Sequence, residues 1–244
     1  MAIYHHISLV QTPSGVMPSY TASPEGPGPY PAILVIQGQG GPGITEFLAA
    51  ERLAEAGFVG IVPDLFHRGP LCTTRDELQH RRRAMSNVDI IADVNATIDH
   101  LGQQSFVSGR FGIMGFCMGG RVSYMMASRN PAILAAVDCY GGGVFEQDGP
   151  GPTPFETTAD IGCPVLILDG EKDESPSPEQ VGRIVAELER LGKVHDVHIY
   201  PEVGHGFMSP NGPRSRPEVI EDAWSKILDW FGRHVAAEPV AAER

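Results

Sequence analysis

Near the middle of the chain an apolar run ends in Gly115-Phe116-Cys117-Met118-Gly119-Gly120, and residues able to start a helix follow at once. A nucleophile held between glycines at a junction of strand and helix forms a nucleophile elbow, here with cysteine in the reacting position. Gly115 and Gly119 have a steric task, because the turn is strained and side chains at those positions would strike neighbouring backbone. The turn lifts the sulfur above the sheet and sets it at the N-terminus of the next helix. There the N–H of Met118 can face a developing oxyanion, and the helix dipole favours a thiolate. A cysteine between glycines can equally be a small buried hydrophobe, so the rest of the chain has to discriminate.

The rest of the chain alternates. Apolar runs at 32–36, 58–62, 111–114, 134–139, 165–168 and 197–200 are interleaved with amphipathic segments at 45–56, 88–101, 118–127, 178–191 and 217–234. That is the pattern of strands and crossover helices in a mostly parallel sheet. Residues 3–10 and 16–20, around Thr12-Pro13-Ser14-Gly15, read as an antiparallel hairpin, and 23–31 is too rich in Pro and Gly for either element. Segment 141–162 is also Gly- and Pro-rich and too short for a large helical lid. The expected fold class is therefore α/β, a central sheet with helices on both faces and no large cap domain. It is expected to form one domain over 1–235, followed by a tail, 236–244, that has little to bury.

With 18 basic against 30 acidic residues the formal charge is −12, and the densest basic run is Arg81-Arg82-Arg83. This balance argues against nucleic acid or an anionic membrane as partner. The opening residues lack a basic start with an apolar core, and no apolar run approaches the roughly 20 residues of a membrane span. A soluble cytoplasmic protein acting on a small molecule, as a monomer or small homo-oligomer, is the expectation. The cysteines, Cys72, Cys117, Cys139 and Cys163, lack the paired spacing of a zinc site or disulfide scaffold, and there is no H-E-x-x-H, so no metal is expected.

In an open parallel sheet, ligands bind beyond the C-terminal ends of the strands. After 165–168 comes Asp169-Gly170-Glu171-Lys172-Asp173-Glu174; Asp173 is the favoured acid and Asp169 the alternative, since the deeper position can turn back toward a histidine. After 197–200 comes Gly204-His205-Gly206-Phe207, where a histidine between glycines is free to point into a site. His205 is the one histidine of nine that follows a strand end in the order nucleophile, acid, histidine used by α/β-hydrolases. The Gly-rich loop 38–43 can approach a substrate closely, and its Gln39 N–H is assigned as the second oxyanion donor beside that of Met118, with Gly38 next. Gly38, Phe66, His67 and Phe207 are taken as substrate-pocket residues. Phe145 and Phe155 are further candidate walls, and Arg68 is read as structural.

Several of these pieces together resemble the dienelactone hydrolase family of α/β-hydrolases: the loop 35–43, Pro63-Asp64-Leu65-Phe66-His67-Arg68, the Cys117 elbow, Gly170-x-x-Asp173, and Tyr200 through Phe207. The resemblance spans nearly the whole chain. It implies a Cys117, Asp173, His205 triad, no metal, no organic cofactor, and hydrolysis of lactones or esters. Two departures stand out. Family members acting on dienelactone place a glutamate in the loop after the first long strand, whereas this loop has no carboxylate before Glu46. They also hold the substrate carboxylate with arginines, one soon after the histidine; here Arg214 comes late, and the other could be Arg75, Arg81, Arg82 or Arg83. The expected reaction is attack of Cys117 on a small ester or lactone, with broad acceptance and poor peptidase activity. An aryl phosphotriester is the alternative substrate, and a redox-sensing or ligand-binding protein on the same fold is the alternative of another class.

Overall fold

A computed structural model describes residues 2–70, 72–210, 212 and 215–236, leaving aside the Arg75 side chain. All six apolar runs become strands. β1 (Ile3–Thr12) and β2 (Gly15–Pro24) form the antiparallel hairpin, and β3 (Tyr30–Ile36), β4 (Val59–Pro63), β5 (Val107–Phe116), β6 (Ile133–Cys139), β7 (Val165–Gly170) and β8 (His195–Tyr200) follow. They make one eight-stranded sheet in the order β1-β2-β4-β3-β5-β6-β7-β8, parallel between all neighbours from β4 to β8. β2 runs past its expected end at residue 20 and takes in Ser23 and Pro24, from the stretch expected to form neither element, because Ser19 to Ala22 pair with β4 and the ladder with β1 continues to Pro24.

The helices are α1 (Ile44–Glu55), α2 (Arg75–Ala84), α3 (Asn87–Gly102), α4 (Met118–Met126), α5 (Pro178–Arg190) and α6 (Pro217–Phe231). Alternation along β3 separates two cores: Ala32, Leu34 and Ile36 face the layer of α3, α4 and α5, while Ile33 and Val35 face α1 and α6. Gly57 and Gly192 lie just past the ends of α1 and α5 with φ of +92° and +63°, the conformation a helix stop demands. α6 stops at Phe231 and the chain continues as a π-helical turn, Gly232–Ala236, where the sequence suggested helix to 234. The expectation of a loose tail falls, beyond Ala236, outside the described residues.

α2 is not legible in the apolar pattern, since Leu78 is its one large apolar residue apart from the terminal alanine. Its start signal is there, however: Thr74 accepts from the Glu77 N–H and Glu77 Oε2 receives the Thr74 N–H at 3.1 Å, a capping box. Between β6 and β7 the only helical piece is a 3-10 turn, Phe155–Asp160, so no large cap covers the strand ends among the described residues. Buried Arg121 anchors that stretch, donating to the carbonyls of Gly143 at 2.9 Å and Glu146 at 3.2 Å and to Asn87 Oδ1 at 2.9 Å. The architecture is the α/β-hydrolase fold. No helix among the described residues is long and apolar enough to cross a membrane.

Candidate active site

Cys117 is the single residue between β5 and α4, with φ +57° and ψ −118°. A backbone angle of that kind costs a non-glycine residue about 1–3 kcal/mol and persists only where the surroundings impose it. They do. A Cβ on Gly115 would lie 2.3 Å from the carbonyl carbon of Gly119, and one on Gly119 would lie 2.1 Å from the Ile36 oxygen. The glycines thus let α4 press directly onto β5 and β3. The Cys117 N–H is held by the Cys139 carbonyl at 3.0 Å, and the Cys117 carbonyl accepts from Arg121 N–H at 3.2 Å.

The loops after β7 and β8 bring the other two residues to the same point. His205 Nδ1 donates to Asp173 Oδ2 at 2.9 Å, and Asp173 Oδ1 accepts the Ser175 N–H at 2.8 Å. The Asp173 side chain is 1% exposed and that of His205 32%, so the acid is sealed while the base reaches solvent. Tyr140 packs edge-on against the imidazole with centroids 5.2 Å apart. His205 also hydrogen-bonds the Cys117 thiol, and the N–H groups of Met118 and Gln39 both point at that sulfur. His205 and both expected oxyanion donors therefore converge on the Cys117 sulfur, with Asp173 on the far side of the imidazole.

The electrostatics follow from this packing. Burial pushes the Cys117 thiol up, but the His205 hydrogen bond and charge, with the Met118 and Gln39 N–H groups, outweigh it and the net shift is below 9.0. The Asp173 hydrogen bond, then that of Cys117, raises His205 to about 10 against the drag of its own burial. Each partner favours the ionised form of the other.

Asp169, the alternative acid, sits behind Asp173. Burial, the Asp173 and Asp138 charges and a hydrogen bond to Asp173 raise its carboxyl to about 8, although the Gly170 N–H opposes this. Asp169 Oδ1 accepts the Gly170 N–H at 2.7 Å, and it is Asp173 that bonds the histidine.

Sequence reasoning missed one residue of the site. A carboxylate reaches loop 38–43 from α1: Glu46 turns back so that Oε1 accepts from Gly38 N–H at 3.1 Å and Oε2 from Gly43 N–H at 3.0 Å. It is buried, and burial raises its carboxyl despite the N–H groups of Gly38, Glu46 and Gly43. The signal was its place at the third position of α1, where a side chain can reach the helix's own cap. Gly38 lies beside Cys117, a Cβ on it falling 3.8 Å from that of Cys117, but its N–H belongs to Glu46. Of the pair, Gln39 is the donor that faces the sulfur.

The expected walls divide. The cavity at Cys117 holds about 380 Å³ and is lined by Gln39, Arg82, Met118, Gly142, Gly143, Glu146, Lys172, Asp173, Glu174, Ser175 and His205. Phe207 is not among them: fully buried, it packs on Tyr140 and Tyr200 and is a core residue. Phe66 and His67 line a different cavity beyond the loop, together with Cys72. Phe145 and Phe155 stack on each other under Arg183, and Arg68 is paired with Asp93. Of the five arginines considered for a substrate carboxylate, Arg82 faces the catalytic cavity. Arg81 is spent on the Phe66 carbonyl at 2.7 Å and the Pro70 carbonyl, Arg83 is exposed outside the lining, and the Arg75 side chain and Arg214 lie outside the described residues.

Residues 17–235 match the model of the dienelactone hydrolase family. The chain belongs to that family. A Methylorubrum extorquens protein named as a carboxymethylenebutenolidase is 33% identical over 231 residues, 91% of this chain and 79% of the relative. A Bradyrhizobium protein named as a 2-oxo-3-(5-oxofuran-2-ylidene)propanoate lactonase is 27% identical over 90% of each chain. Among solved structures, a dienelactone hydrolase-type protein of Klebsiella pneumoniae superposes with a TM-score of 0.89 at 27% identity, covering 96% of this chain and all of its own. The chain is a dienelactone-hydrolase-like hydrolase.

Proposed function

We propose that this family member hydrolyses small esters and lactones through a covalent acyl-cysteine, with broad acceptance. The observation that carries the reading is the convergence of an imidazole and two backbone N–H groups on the Cys117 sulfur. The thiolate attacks the carbonyl carbon, and the oxygen's negative charge is met by Met118 and Gln39 N–H. As the tetrahedral adduct collapses, the His205 imidazolium gives its proton to the departing alkoxide, and a thioester remains. Neutral His205, oriented by Asp173, then takes a proton from water, whose oxygen attacks the thioester; the thiolate leaves and the ion pair is restored. In a lactone the leaving alkoxide stays tethered as a hydroxy acid. Amides are poor substrates, because thiolate leaves the adduct more readily than an amine nitrogen.

The cavity lining includes Arg82 and Lys172 as well as Glu146 and Glu174, so a carboxylate on the substrate has one cation on α2 to meet, itself 3.8 Å from Asp148, and no arginine directly after His205. The lactone-cleaving names of the relatives support testing unsaturated five-membered lactones alongside aryl esters. An aryl phosphotriester belongs in the same panel, since an attacked P=O would place its charge at the same two N–H groups.

The test is that panel run on the wild type, Cys117→Ala and His205→Ala. We expect p-nitrophenyl acetate to give a burst equal to enzyme concentration, and both variants to lose at least about 10³-fold in kcat. Turnover surviving in Cys117→Ala would move the chemistry elsewhere on the chain. Absence of all turnover, with Cys117 still readily oxidised, would favour the redox-sensing alternative.

A further inference from the structure

A second cavity, of about 570 Å³, lies between the β1–β2 hairpin, loop 38–43 and α2, and does not contain Cys117. Its lining is chiefly carbon, from Ile7, Val16, Tyr20, Phe47, Phe66 and Leu78. The two cavities share two walls. On the loop, Gln39 belongs to the catalytic cavity and Gly40 and Gly41 to the second; on α2, Arg82 faces the first while Leu78 and Arg81 face the second. The strip between them is the backbone of Gln39 and Gly40, and a Cβ built on Gly40 would meet nothing within 4 Å. A residue with no side chain in open space makes that strip a low saddle.

Charge separates the two spaces. The catalytic cavity presents Arg82, Glu146, Lys172 and Glu174, and an alkyl chain laid over them would strip water from charges and give nothing back. In the second cavity the charged side chains, the His67 imidazole and the Tyr20 hydroxyl are already engaged, and the free Cys72 thiol is the remaining titratable group. Asp64 accepts the Phe66 N–H at 2.9 Å, His67 Nε2 lies 3.3 Å from Asp93, and Arg81 is committed to two carbonyls. The Tyr20 hydroxyl donates to Glu51 at 2.6 Å. A ligand there finds apolar surface and no uncommitted charged side chain to pair with a charge of its own.

We propose that the second cavity receives an uncharged apolar arm of the ester, laid over Gly40 while its carbonyl sits at Cys117. The enzyme then takes esters with extended alkyl chains in addition to small ones. This rests on the hydrolytic reading above, and it names a substrate class that reading leaves open.

The experiment compares p-nitrophenyl acetate, butyrate and octanoate, and a matching series of acetate esters of longer alcohols. It uses the wild type, Val16→Trp and Leu78→Trp, whose new rings fill the second cavity far from Cys117. Each methylene fully removed from water is worth about fourfold in affinity, so a chain only partly buried should raise kcat/KM by about tenfold from acetate to octanoate in at least one series. Both variants should keep acetate turnover within about twofold and lose that gain, mainly in KM. A wild type with no chain-length preference overturns the proposal, as does octanoate turnover that neither variant changes. Binding of 1-octanol, followed by calorimetry, reads the cavity without turnover. Saturable binding lost in Leu78→Trp supports the proposal even if no ester is cleaved, and no binding in the wild type overturns it while leaving acetate hydrolysis to be judged separately.

Discussion

Glu46 sits on a helix, yet its carboxylate closes the loop that carries Gln39, the proposed oxyanion donor, bonding the N–H groups of Gly38 and Gly43. That arrangement holds Gln39 N–H on the sulfur and leaves the ionisation of the thiol to His205 and the two N–H groups. Removing the side chain in Glu46→Ala frees Gly38 and Gly43 and lets Gln39 drift. The expected outcome is a fall of about 10–100-fold in the acylation rate by p-nitrophenyl acetate, the scale of losing or weakening one oxyanion donor. Alkylation of Cys117 by iodoacetamide needs the thiolate and no oxyanion, and should stay within about twofold of the wild type. Equal losses in both rates would mean that Glu46 acts on the thiol. At this scale sequence reasoning proposed Cys117, Asp173 and His205 from glycines flanking the elbow and the histidine and from the loops that follow strand ends, and the structure brings these three side chains together. The same reasoning misplaced Phe207, whose neighbour His205 turns toward the site while Phe207 itself turns into the core.

The elbow is an element whose tolerance can be measured. Gly119 faces the Ile36 carbonyl at a distance no Cβ can occupy, and the obstacle is backbone on a central strand. Gly119→Ala should therefore cost about 3 kcal/mol or more, at the upper end of overpacking substitutions, seen as a lowered denaturation midpoint in urea. A change below about 1 kcal/mol would show that α4 can shift away from β3 at little cost. α2 presents the opposite case: a polar helix with little to bury, fixed by its capping box and by Arg81 reaching back to the Phe66 and Pro70 carbonyls. Hydrophobic periodicity cannot find such a helix, although Thr74-x-x-Glu77 announces its start. Its position matters because it roofs both cavities and decides which arginine faces which.

For the molecule as a whole, the sheet buries acids as well as apolar chains. Asp138 on β6 is 2% exposed, and Oδ1 lacks a hydrogen-bond partner. Burial raises its carboxyl to about 7 against the pull of the Gly141 N–H, and Asp169 on β7 lies at about 8. Between the ordinary value of 3.8 and these raised values the unfolded chain has released protons that the native protein keeps, so stability must fall as pH rises through that window. We expect the melting temperature to decline from about pH 5 to 8 and the decline to be shallower in Asp138→Asn. A profile unchanged by that substitution would place the titration elsewhere.

Period-two and period-3.6 patterning, glycines at forced turns and the chain order of nucleophile, acid and base are local properties, and they were enough to specify an α/β sheet carrying a cysteine elbow and to single out Cys117, Asp173 and His205. The tertiary structure decided what depends on where side chains of separate elements meet. It turned Glu46 from α1 onto Gly38, buried Phe207, gave Arg82 and not Arg81 to the catalytic cavity, and set an apolar cavity across Gly40. Those outcomes depend on packing between residues distant in sequence, and no spacing along the chain encodes the direction in which a side chain turns once its neighbours are in place.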